Sequence, residues 1–173
     1  AKGKMLLAVF HADTKGELIL TDNTEAKAGA VVVNVNDATV YSVFASESQY
    51  SDKSESGKIT VNGGNYTTVG KVSNAMFFAD ANEVITVNGG NFHCDQVSNT
   101  ANYPWMFNTV GNNERHVTVN GGTFNVDINH QHRPFEVKVP ETLAVKDNGD
   151  GTWTVDEAEA YITEMLGAIV NEA

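Results

Sequence analysis

Ile85-Thr86-Val87-Asn88-Gly89-Gly90-Asn91-Phe92 is the stretch on which the fold turns. Near-copies stand at Ile59-Thr60-Val61-Asn62-Gly63-Gly64-Asn65-Tyr66 and Val117-Thr118-Val119-Asn120-Gly121-Gly122-Thr123-Phe124. A weaker copy lies at Val33-Asn34-Val35-Asn36-Asp37-Ala38-Thr39-Val40. The asparagines Asn36, Asn62, Asn88 and Asn120 follow one another at two equal intervals and then a longer third. Within each copy, apolar and polar residues alternate with a period of two, which places Ile85 and Val87 on one face of a strand and Thr86 on the other. Gly supplies positive φ and Asn tolerates the left-handed region, so Asn-Gly-Gly is expected to break the strand and bend the chain before it resumes at residues 40, 66, 92 and 124.

Asn-Gly between alternating residues is also a strong hairpin signal. Two observations favour stacking of copy on copy instead. The arm after each turn is short, and equivalent residues recur at an interval long enough for a full coil. Stacked in register, the copies would set Val on Val, Thr on Thr and Asn on Asn, and the four asparagines would form one hydrogen-bonded ladder. The apolar runs Val43-Phe44-Ala45-Ser46, Met76-Phe77-Phe78-Ala79 and Trp105-Met106-Phe107 supply a second strand per coil. Ser46 to Lys58 reads as a polar loop. The longer last interval places six extra residues within 93–116.

Leu7 and Val9 precede Val33 and Val35 by the same interval that separates Asn36 from Asn62. Residues 1–30 are therefore read as a degenerate N-terminal coil or cap of a repeat region spanning 1–128. Residues 129–173 drop the repeat and form a C-terminal cap of the same domain. There Leu143–Lys146 and Thr152–Val155 flank a five-residue loop, Asp147 to Gly151, as a hairpin. An amphipathic helix over 156–170 is expected next, with Asp156 as N-cap, Glu159 as its capping-box partner and an apolar stripe of Ala158, Ile162, Met165, Leu166 and Ile169. The expected fold class is therefore all-β: a single-stranded parallel solenoid of four to five coils, closed by a hairpin and one helix. An antiparallel meander is the alternative.

The chain has 173 residues, of which 41% are hydrophobic and only 19% charged, with a net charge of −11. Residues 141–173 carry −7 of that charge. Such acidity argues against nucleic acid and against anionic membrane surfaces as partners, because both require a basic face. No segment approaches the roughly 20 apolar residues needed to span a bilayer. The single cysteine, Cys94, excludes an intrachain disulfide. The chain opens on Ala1, consistent with a removed leader or a larger parent.

Val-Asn-Gly-Gly-Thr-Phe at 119–124, followed by Asp-Asn-Gly-Asp-Gly-Thr-Trp-Thr-Val at 147–155, resembles the right-handed parallel β-helix (pectate-lyase-like) repeat proteins. These occur as bacterial surface proteins and adhesins and as phage fibres or spikes. The resemblance covers about residues 30–155. It implies a non-catalytic, extracellular structural or adhesive module on a bacterial surface, with glycan as the expected ligand class and no cofactor. It also implies partnership with itself, for instance as a trimer through the 156–170 helix, or with a larger parent assembly. A virion component (tail fibre, spike or capsid decoration protein) and a small carbohydrate-active enzyme are the alternatives.

Several residues carry candidate chemistry. For catalysis, a glycosidase would need two carboxylates at a defined separation from among Asp80, Glu83, Asp95, Glu114 and Asp127. Lys58, Lys71 and Arg115 are the bases a lyase could use. Solvated surface charge is the plainer role for all of these. His130-Gln131-His132 resembles the paired histidines of trimeric phage spike tips that hold iron, but about forty residues follow it, and two exposed polar histidines is the plainer reading. His93-Cys94-Asp95 has ligand types without a second cluster, and Cys94 reads as a buried thiol. Asp147 to Gly151 lacks the ligand pattern of a calcium loop and reads as a turn. Asn65-Tyr66-Thr67 matches a glycosylation acceptor but is already explained by the repeat. Inserts on repeat proteins often map to the binding face, so the lengthened coil is the place to look for a site. It offers Tyr103, Trp105, Asn112, Asn113, Glu114 and Arg115, although Trp105 beside Met106 and Phe107 could equally be core.

Overall fold

A computed structural model describes residues 5–24, 28–35, 39–47, 55–81, 84–109, 117–130 and 137–158. Apart from turns and loops, the described residues are all-β except for the 3-10 residue Glu55 and the helical residue Ala158. In chain order the strands are β1 (Met5–Asp13), β2 (Glu17–Leu20), β3 (Ala30–Asn34), β4 (Thr39–Glu47), β5 (Lys58–Val69), β6 (Ala75–Ala79) and β7 (Ile85–His93). They continue with β8 (Trp105–Thr109), β9 (Val117–Val119), β10 (Gly122–Phe124), β11 (Val137–Lys138), β12 (Leu143–Asp147) and β13 (Trp153–Glu157). Four strands form a wholly parallel sheet in the order β1-β4-β6-β8. The other nine form a mixed sheet, parallel except where β13 pairs with β10 and β12. Neither sheet closes into a barrel.

The repeats pair copy on copy, not within a copy. Ile59 lies opposite Ile85, Thr60 opposite Thr86 and Val61 opposite Val87, and the last two continue to Thr118 and Val119. The antiparallel meander is thereby excluded for these strands. Burial follows the expected alternation: Ile59, Val61, Ile85, Val87, Val117 and Val119 are buried, while Thr60, Thr86 and Thr118 are only partly so.

The core lies between the two sheets and is organised by aromatic columns. Phe10, Phe44, Phe77 and Phe107 stack at successive centroid separations of 5.2, 4.6 and 5.0 Å. From the facing sheet, Tyr66, Phe92 and Phe124 stack at 5.4 and 5.2 Å. The columns meet edge-on, Phe44 against Tyr66 and Phe77 against Phe92, the offset geometry that suits ring quadrupoles. A single repeat could not bury these rings; repeats paired in register can.

Asn-Gly-Gly bends the strand more than it breaks it. β5 and β7 run straight through their glycines, with shifts of register at Asn62, and only the last copy divides, into β9 and β10. The second glycine of each pair takes a positive φ, +101° at Gly64, +122° at Gly90 and +116° at Gly122, joined in β5 by Gly63 at +155°, whereas the asparagines do not.

The first coil differs from the expected one. Leu18 and Leu20, not Val33 and Val35, lie opposite Ile59 and Val61, and Ala30 to Asn34 lie opposite Asn65 to Val69. β1, which carries Leu7 and Val9, pairs with β4 in the other sheet. The reason is the excursion between β2 and β3, which splits one strand position in two and destroys the simple spacing. It is clamped by Asp22, whose carboxylate accepts from the Thr24 amide, the Thr24 hydroxyl and the Gly29 amide.

The asparagine ladder is correspondingly shorter at its base. Asn120 Nδ2 donates to Asn88 Oδ1 at 2.8 Å, Asn88 Nδ2 to Asn62 Oδ1 at 2.8 Å, and Asn62 Nδ2 to Thr21 Oγ1 at 3.2 Å. Thr21 therefore occupies the rung expected for Asn36, which itself lies outside the described residues. A second ladder, unforeseen, runs from Asn91 to Asn65 and on to the Gly29 carbonyl.

At the C-terminal end, β12 and β13 form the expected hairpin, its turn held by Asp147 accepting from the Gly149 amide and Asp150 from the Thr152 amide. β13 runs through Glu157, with Asp156 opposite Ala144, so Asp156 is a strand residue and not a helix N-cap. Cross-strand pairing extends past the position where the capping pattern suggested a helix start. Only Ala158 of the expected helix is described; residues 159–173 lie outside.

Candidate binding site

The register locates the extra length of the last coil. Ile59 lies opposite Ile85, Ala75 opposite Trp105 and Thr86 opposite Thr118. Measured against the β5–β7 interval, the β6–β8 interval is longer by four and the β7–β9 interval by six. Four of the six extra residues thus fall before β8 and two after it. The four extend the loop 94–104, which carries Tyr103 back over the coils beneath. Its stem is fixed by the Ser98 amide donating to the Pro104 carbonyl and the Trp105 amide donating to the Asn74 carbonyl.

Three successive coils contribute to one corner. Thr39 opens β4, Lys71, Val72 and Ser73 precede β6, and Asn102 and Tyr103 precede β8. Together they line an open recess of about 540 Å³. Val72 is fully buried beneath the surface there, while Ser73 is held by its amide donating to the Val40 carbonyl. Tyr103 is 43% exposed, and its ring packs on Trp105 at a centroid distance of 4.3 Å and 36°. The neighbouring Tyr41 hydroxyl is shifted above its ordinary range, by burial first and then by proximity to Tyr103 and Glu47. Among the described residues, the side chains of Thr39, Lys71 and Asn102 engage no other protein group. An exposed ring above uncommitted polar groups is what a small polar ligand requires.

Trp105, by contrast, is 4% exposed, and its indole N–H donates to the Thr100 carbonyl. It supports Tyr103 from below and presents no face of its own. Asn112, Asn113, Glu114 and Arg115 lie outside the described residues. Lys71, Ser73, Thr39 and Asn102 were not singled out as binding residues from the sequence. They become neighbours only through stacking, and the usable signal was the loop length before β8.

The carboxylates considered for catalysis serve as structural hydrogen-bond acceptors where they are described. Asp80 is buried and accepts from the Ser56 hydroxyl at 2.7 Å. Asp95 accepts from the Gly70 amide, and its own amide donates to Thr68 Oγ1. Asp127 accepts from the Asn129 amide and pairs with the His130 ring. Glu83 and Glu114 lie outside the described residues, as does His132. His130 is exposed, and no group of three or more His, Cys, Asp or Glu able to hold a metal ion is found among the described residues. Cys94 is buried, and loss of solvation pushes its thiol up to about 12. Its backbone is bracketed by the Asn125 amide group, which accepts from the Cys94 N–H and donates to its carbonyl.

A larger recess of about 710 Å³ lies beside the β2–β3 excursion, between Asp22, Val31 and Tyr66. Its only carboxylate among the described residues, Asp22, is already committed to clamping that excursion, so the Tyr103 corner is the better candidate. Compared with known protein families, curated proteins and solved structures, the chain matches none of them.

Proposed function

We propose that the chain is a right-handed parallel β-helix module, non-catalytic and extracellular, that serves a bacterial surface protein as a rigid adhesive element and contacts glycan at the Tyr103 recess. Parallel pairing of successive coils, stacked aromatic columns and side-chain ladders support the architecture. A scaffold of this kind changes shape little on binding and holds surface groups at fixed spacing. The observation that carries the reading is the recess itself: an exposed tyrosine ring, backed by Trp105, above polar groups from three coils. The test is a screen of the intact chain against an immobilised glycan panel, with Tyr103→Ala alongside. Glycan binding that Tyr103→Ala weakens about ten-fold or more, as loss of an aromatic anchor does, is the expected result. Turnover of a polysaccharide, or binding indifferent to Tyr103, would overturn it.

A further inference from the structure

We infer that the Tyr103 recess selects saccharides carrying an anionic sugar, and that Lys71 is the group that reads the charge. The inference rests on the glycan-binding reading and adds a ligand class to it.

Lys15 is paired with Glu55 at 2.8 Å, and Lys58 shares its recess with Glu17 and Glu55. Among the described residues that line the Tyr103 recess none is a carboxylate, the nearby Asp95 being held by the Gly70 amide, and Lys71 forms no ion pair among the described residues. In a chain of net charge −11, with 22 acidic residues against 11 basic ones, an ammonium with no ion-pair partner among the described residues is the group of this recess that would attract an anion. The neighbours complete a sugar-sized constellation. Tyr103 offers an aromatic face, and Thr39 and Asn102 offer an uncommitted hydroxyl and amide for ring hydroxyls. The recess is open rather than cleft-like, which suits a terminal sugar more than the middle of a chain.

A carboxylated and a sulfated sugar present the same charge to Lys71, so the test uses both. Binding of lactose, sialyllactose and sulfated lactose to the intact chain is followed by NMR titration at low and moderate salt, for the parent protein and for Lys71→Gln. The expected result is tighter binding of one or both anionic ligands than of lactose. Lys71→Gln should reduce that preference about two- to five-fold, the range an exposed ion pair supplies. Added salt should reduce the preference in the parent and not in the variant. Which anionic ligand gains more identifies the source. Equal affinity for lactose and the anionic forms, or a preference that survives Lys71→Gln, overturns the inference and leaves the glycan reading standing. No binding of any of the three overturns both. Thermal melts of the variant establish that it is folded.

Discussion

Phe77→Ala is the sharpest probe of the core. The ring is fully buried at the centre of its column, 4.6 Å from Phe44 and 5.0 Å from Phe107, and meets Phe92 edge-on at 5.1 Å. Truncating a buried phenylalanine costs about 3–5 kcal/mol through lost transfer energy and the cavity left behind. The three ring contacts place Phe77 toward the upper end, since each aromatic pair adds roughly 0.5–1.5 kcal/mol beyond area burial. Phe10 makes the fitting control. It ends the same column, is only partly buried, and meets Phe44 at 5.2 Å and Tyr66 at 6.1 Å. Because part of its surface is already wet in the folded state, Phe10→Ala should cost about 1–2 kcal/mol. Against a total stability of roughly 5–15 kcal/mol, the Phe77 variant should be visibly weakened, with a melting temperature lower by about 2–4 °C per kcal/mol. Urea unfolding followed by circular dichroism and by the fluorescence of Trp105 and Trp153 measures both variants. A Phe77→Ala loss no larger than that of Phe10→Ala would refute the stacked core, because the ordering follows directly from position in the column.

Other outcomes follow from the same geometry. Asn88→Ala removes the middle rung, bonded to both Asn62 and Asn120; because the amides are exposed, the loss should stay near 1 kcal/mol, roughly that of one net hydrogen bond, and a double-mutant cycle with Asn120→Ala should show coupling that Asn88 and Asn148 do not share. Gly90→Ala should destabilise more than Gly149→Ala in urea titrations: both glycines have positive φ, but a Cβ at Gly90 would lie 2.9 Å from the Gly64 carbonyl oxygen, and one at Gly149 meets nothing within 4 Å. Cys94 should resist aromatic disulfide reagents in the folded protein and react in denaturant. Its folded pKa is raised from 9.0 to about 12, so the stability it contributes is fully present below about 9 and is lost as pH rises toward 12; Cys94→Ala should flatten that alkaline loss, measured by urea unfolding across the same pH range.

What the sequence by itself determined is the alternation and the stacking. Ile-Thr-Val at 59–61 and 85–87, with Val-Thr-Val at 117–119, names its own inward and outward residues, because a strand has a period of two and one face must be buried. Its recurrence at a coil-sized interval implied partners in the next copy, and the hairpin at 143–157 was legible from turn chemistry alone. Tertiary structure decided whatever depends on register between coils. An excursion such as the one between β2 and β3 leaves no mark on local alternation, so Val33 and Val35 mimicked Ile59 and Val61 although Leu18 and Leu20 hold that place, and Thr21 ends the ladder that Asn36 was expected to join. Equally, Tyr103 and Trp105 are two aromatic residues in one loop, and only packing makes one a buried support and the other an exposed ring. Thr39, Lys71 and Asn102 belong to three different coils. Cross-coil hydrogen bonds bring them to one corner, and those bonds lie between distant parts of the chain, where no local pattern can announce them.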